Sequence, residues 1–158
     1  MGVKVKGFNE VMASLDAKAK RVAEAFLMRL DVLGLEAVRY VRDRSSLDSW
    51  EDQTGNLRSS IGYIVVRDGS VVNTGGFEAV DGPKRSETSE NGSSEGRKYA
   101  EELAARYPSG YALIVVAGMN YAVYVEAMAN KDVLAGGEIF LKKKIRNLVR
   151  EFNDKYGK

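Results

Sequence analysis

Apolar side chains at Phe8, Met12, Leu15, Ala19, Val22, Phe26, Leu30, Leu33, Ala37 and Tyr40 recur at steps of three or four, which is the spacing of one face of an α-helix. Charges such as Lys18, Arg21, Glu24 and Asp31 fill the other face, Asn9 is placed to cap the start, and no proline interrupts the run. The pattern predicts a helix of about 35 residues, roughly 50 Å at 1.5 Å per residue. A chain of 158 residues forms one domain, 1–158, whose own core does not need a helix that long. Either part of the helix packs on a neighbouring subunit, or the helix breaks near Gly34.

Beyond Arg44 the segment SSLDSWEDQTGN has no period and reads as a loop, with Trp50 as its anchor on the core. Two strands are expected next, Ile61 to Val66 and Val71 to Thr74, around the turn-forming pair Asp68-Gly69. Val80 to Lys98 offers almost nothing to bury and reads as a flexible polar excursion. A short helix from about Arg97 to Arg106 stops before Pro108 and Gly110. Tyr111 to Gly118, apolar on both faces, reads as a central strand, and Tyr121 to Met128 as a further strand paired with it. Ile139, Leu141, Ile145, Leu148, Val149 and Phe152 form the stripe of a closing amphipathic helix. Strands bracketed by helices predict an α+β domain. Its small antiparallel or mixed sheet of about four strands would pack against the long N-terminal helix and the amphipathic C-terminal helix, with the helices on one face.

Composition removes most catalytic chemistry. The chain has neither cysteine nor histidine, which excludes thiolate nucleophiles, disulfides, imidazole bases and the usual zinc or haem ligand sets. Glu126 beside Tyr121 and Tyr124 is a single carboxylate rather than a site, and the aspartates at 43, 48 and 52 lack the spacing of a calcium loop. The glycines of GSVVNTGG and LAGGEI lack the lysine of a phosphate loop. No enzyme, no cofactor and no metal site is expected. The 24 basic and 22 acidic side chains leave a formal charge of +2, which gives no general attraction to nucleic acid or lipid. No apolar run is long enough to span a membrane, so a soluble chain made in the cytosol is expected.

The most informative short stretch is DQTGNLRSSI, Asp52 to Ile61. Gly55 permits a positive φ, Asn56 is suited to cap the turn that follows, and Leu57 to Ser60 can form one helical turn before the strand begins. Arg58, held on that turn, is placed for a bidentate contact with a carboxylate, including one on another copy of the chain. Together with YAVYVEAM, Tyr121 to Met128, this stretch resembles the head-to-tail joining, or tail-completion, proteins of lambda-like long-tailed bacteriophages and prophages. The resemblance rests on Thr54, Gly55, Leu57, Arg58, Ser60 and Ile61 in the first motif and on Tyr121, Ala122, Tyr124, Val125 and Glu126 in the second. The order of elements agrees from Phe8 to Phe152.

The resemblance implies a structural virion component, made in the host bacterial cytoplasm. It would assemble, as a homo-oligomeric ring in the virion, with head-closure, tail-terminator or tail-tube proteins. An interface in such a ring is heterologous, so each copy presents two different complementary faces. Arg58 and Glu126 are candidate charges for fixing register, Arg58 with an acidic group and Glu126 with a basic one, each other included. A second class of function is a small DNA-binding protein using the C-terminal helix. There Lys142, Lys143, Lys144, Arg146, Arg150, Lys155 and Lys158 oppose only Glu151 and Asp154, and such binding falls steeply with salt.

Overall fold

The computed structural model describes residues 7–43, 52–84, 91–120, 122 and 134–157. Helix α1 spans Phe8–Arg42 as one continuous helix. Its N-cap is Gly7 at φ 83°, with no side-chain cap, so Asn9 lies inside the first turn and does not cap it. Gly34 does not break the helix. A Cβ there would sit 2.3 Å from the Tyr63 ring, so the glycine admits an aromatic ring flat against the helix backbone and the helix has no reason to bend.

Strands β1, Ile61–Arg67, and β2, Ser70–Gly76, form an antiparallel hairpin. Asp68 and Gly69 between them have φ of 48° and 78°, the two positive values of a type I′ turn. Strand β3, Tyr111–Ala117, pairs antiparallel with β1 from Ile61 opposite Ala117 to Arg67 opposite Tyr111. The order is β2-β1-β3 among the described residues; the expected fourth strand, Tyr121 to Met128, lies outside them apart from Ala122. The central strand is β1, which corrects the expectation that β3 is central. The apolar character of β3 on both faces reflects cover from above and below, since helices lie on both faces of the sheet and not on one.

On one face Ile61, Tyr63 and Val65 of β1 meet Leu30, Leu33 and Val41 of α1 and Leu148 of the C-terminal helix. On the other, Ile64 and Val66 meet Phe77, Ala100, Ala104, Ile114 and Val116. The period-2 alternation of a strand supplies both cores from one run of residues.

Helix α3 spans Gly92–Ala104 (the single turn α2, Asn56–Ser59, precedes β1) and begins earlier than Arg97. The Asn91 side chain caps it, accepting a hydrogen bond from the Ser94 N–H at 3.3 Å. Gly92, Gly96, Ala100 and Ala104, four residues apart, form its buried ridge. A Cβ on Gly92 would stand 2.1 Å from the Asn56 carbonyl oxygen, and one on Gly96 2.3 Å from that of Ser60. The small residues that made this stretch look unfit for burial are what lets the helix lie directly on neighbouring backbone. At the other end of the stretch read as an excursion, the Val80 N–H donates to Ser59 Oγ at 2.8 Å and the Lys84 N–H to the Gln53 carbonyl at 2.8 Å. Trp50 and the segment 121–128, Ala122 excepted, lie outside the described residues.

Helix α4, Ala135–Tyr156, runs antiparallel along α1. Tyr40 stacks on Phe140 with ring centroids 4.9 Å apart, and Phe26 meets Phe152 edge-on at 5.2 Å. Leu141, Ile145, Leu148 and Phe152 face the core. Ile139 and Val149, read as part of the same stripe, are 73% and 50% exposed, so the buried face is narrower than the apolar spacing suggests. Phe152 meets Phe26, and Tyr156, one turn further along α4 at its C-terminal end, packs on Phe152. Every position of α1 from Asn9 to Arg21 is exposed, and that stretch forms an arm.

Candidate assembly site

The stretch Asp52 to Ile61 folds as a hub. Helix α2, Asn56–Ser59, is a single turn entered through Gly55 at φ 81°. Only glycine suits that position. Besides the positive φ, a Cβ would lie 1.9 Å from the Val80 carbonyl oxygen. Asn56 does not cap the turn; that role belongs to Asp52, whose Oδ1 accepts from the Gly55 N–H at 2.9 Å and whose Oδ2 accepts from the Arg58 N–H at 2.7 Å. A carboxylate holding two otherwise orphaned amides at a helix start is favoured by hydrogen bonding and by the helix dipole together. The Thr54 hydroxyl accepts from the Asn56 N–H at 3.4 Å, and Ser60 Oγ donates to the Leu57 carbonyl at 2.8 Å.

The hub binds three other parts of the chain. Ser59 Oγ donates to the Gly55 carbonyl at 2.7 Å and accepts from Val80. The Ser60 carbonyl accepts from the Gly118 N–H at 3.2 Å, at the end of β3. Arg58 Nη1 donates to the Arg42 carbonyl, in the last turn of α1, where carbonyls have no partner within the helix. Arg42 in turn pairs with Glu78 at 3.0 Å. In this contact Arg58 meets a backbone oxygen, and the arginine ties the hub to the long helix.

Asn56, Leu57, Ser60 and Ile61 are buried, while Thr54 and Arg58 are half-buried. Most of the motif therefore acts by fixing the junction of α1, β1 and α3 rather than by touching another molecule. Of the second motif, Ala122 is buried in the core beside Met119. Tyr121, Tyr124, Val125 and Glu126 lie outside the described residues, and with them the Arg58 to Glu126 pairing.

Several basic residues of α4 make surface ion pairs or hydrogen bonds. Lys142 pairs with Glu138 at 2.5 Å, and Lys144 with Glu36 of α1 at 3.2 Å while lying 5.5 Å from the Phe140 ring centroid. Arg150 donates to Asn147 at 3.4 Å, and Lys143 and Arg146 are exposed.

Replacing Asp52 with alanine removes both amide acceptors at once. The expected loss is about 1–2 kcal/mol of stability, read as a lower urea midpoint with an unchanged slope. An unchanged midpoint would show that α2 does not depend on this cap.

The features left over are surfaces. Among the described residues no helix is long and apolar enough to cross a membrane, and no group of three acidic or other metal-binding side chains converges. Exposed on α1 are Val11, Met12 and Leu15 on the arm, and Met28, Val32 and Leu35 further along. Comparison with protein-family models, with curated proteins and with solved structures returned no match.

Proposed function

We propose that the chain is a structural component of a tailed bacteriophage or prophage virion, a small subunit that joins the head or neck to the tail by protein–protein assembly in a ring. The observation that carries this reading is α1. Its C-terminal half builds the core, while its N-terminal arm projects beyond α4 with Val11, Met12 and Leu15 exposed at 58%, 42% and 53%. Large apolar side chains on an unsupported helix point to a surface completed by another protein chain. The two-motif resemblance supplies the biological setting, and the hub supports it by holding the base of α1 rigid. DNA binding through α4 has less to stand on, since a phosphate would compete with Glu138 and Glu36 for two of its lysines.

The test is genetic and structural. In the phage or induced prophage that carries the gene, an early stop codon is expected to give DNA-filled heads and separate tails by electron microscopy, with infectious particles restored when the chain is supplied in trans. Normal numbers of complete particles without the chain would refute the reading.

A further inference from the structure

Met12 and Leu15 each precede Val32 and Leu35 by twenty residues on one continuous helix. At 3.6 residues per turn, twenty residues correspond to a rotation of about 200° and a rise of about 30 Å. The arm face and the Met28, Val32, Leu35 face therefore point in nearly opposite directions from the two halves of α1. The arm face continues the stripe that Leu30, Leu33 and Ala37 bury within the domain; the second face looks away from it. Met28, Val32 and Leu35 are 69%, 45% and 40% exposed.

We propose that the arm of one copy seats on the Met28, Val32, Leu35 face of the next copy. This rests on the reading of the chain as an assembling subunit and deepens it by naming the two faces. A donor and an acceptor face pointing opposite ways cannot satisfy each other within a pair, so each added copy leaves one of each open and the contact propagates until a ring closes. Pairing of arm with arm is disfavoured in both orientations. Laid antiparallel across the Met12, Leu15, Ala19 stripe, two arms set each copy's Asp16 beside the other's Asp16, and Lys18 beside Lys18, like charges flanking an apolar seam. Laid parallel, the shared stripe runs on to Leu30 and Leu33, which α1 has already buried against its own sheet and α4.

The arm is about 20 Å long, and a contact along one face of so short a helix falls below the ~1,200–2,000 Å² of a stable two-body interface. One such contact is weak, and closure of several at once is what holds the assembly together.

The absence of cysteine makes the contact directly testable in the full chain. Leu15 and Val32, replaced together by cysteine, lie about 25 Å apart on one rigid helix, far beyond the ~7 Å between Cα atoms that a disulfide spans. Any disulfide in Leu15→Cys/Val32→Cys therefore joins two copies. Mild oxidation at high protein concentration is expected to give a ladder of dimers, trimers and longer species on a non-reducing gel. A mixture of Leu15→Cys and Val32→Cys chains should stop at dimers, and neither single variant alone should cross-link at a comparable rate. Both sites are exposed, and an unchanged circular dichroism spectrum verifies the fold. Absence of the ladder from the double variant, or Leu15→Cys alone cross-linking as fast, overturns the proposal. The two proposals fail separately: a missing ladder leaves the unjoined-particle phenotype standing, whereas a ladder from a chain that virions can do without refutes the neck role and keeps the contact.

Discussion

Gly96→Val is expected to lower the stability of the domain by about 3 kcal/mol, at the upper end of what overpacking costs. The first atom of the new side chain would fall 2.3 Å from the Ser60 carbonyl oxygen, and a second stretch of backbone packs on the same glycine, since a Cβ built on Gly118 would lie 2.3 Å from Gly96 Cα. Neither wall is a side chain that can rotate away, so relief requires α3 to lift from the sheet and open the cluster around Ile64, Val66 and Ile114. Gly110→Ala serves as the control. Gly110 has φ of 77° and no atom within 4 Å of an added Cβ, so only the local backbone penalty of about 1 kcal/mol applies. Urea denaturation of both variants reads the difference; equal losses would mean that the ridge of α3 is not tightly seated.

Tyr63→Ala is expected to cost about 4 kcal/mol, within the usual range for removing a large buried aromatic side chain. The ring is 2% exposed and lies between Gly34 of α1 and Gly75 of β2, where added Cβ atoms would sit 2.3 and 2.4 Å from it. Neither glycine has a side chain that can collapse into the space left behind, so the cavity persists. Tyr63→Phe keeps the ring and removes only the hydroxyl, which donates to Asp31 Oδ1 at 2.7 Å. That variant isolates a pH dependence. Burial above all, then the hydrogen bond to Asp31 and the charge of its carboxylate, push the Tyr63 hydroxyl well above its ordinary value of 10.0. The folded state therefore keeps the proton that the unfolded chain releases. This contribution is complete below pH 10 and is lost as the pH rises above it, at about 1.4 kcal/mol per pH unit. The stability of the parent should fall more steeply with pH through this range than that of Tyr63→Phe, and parallel curves would contradict the account.

What was legible in the sequence is what depends on short-range periodicity. The ten-residue stripe of α1, the Asp68-Gly69 turn and the apolar run of β3 are each visible within a window of a dozen residues or so, and each forms the element expected. The positive φ at Gly55 and the helical turn after it were legible for the same reason. What stayed hidden is long-range. Gly92 and Gly96 have the composition of a loop until the backbones of Asn56 and Ser60 are brought against them. The neighbours of β3 are set by which strand reaches it first, which no local pattern records. Asp52 is an ordinary loop aspartate in sequence, and its two amide contacts, three and six residues on, require the turn at Gly55 to exist already. The oxygen that Arg58 finds on Arg42 lies sixteen residues back, in a different element. The Met28, Val32, Leu35 face has helical spacing of its own, yet the stronger stripe on the opposite side of the same helix obscures it.

The separation between the buried hub and the exposed arm has a consequence for how such a chain changes over generations. Leu57, Ser60 and Ile61 decide whether the domain forms, while Val11, Met12 and Leu15 touch none of the described core. Exposed substitutions of that kind shift stability by no more than about 0.5 kcal/mol. Under the proposed arm contact, a lineage can rewrite its docking preferences one residue at a time while the domain keeps its shape, and compatibility between copies becomes a trait that drifts almost independently of foldability.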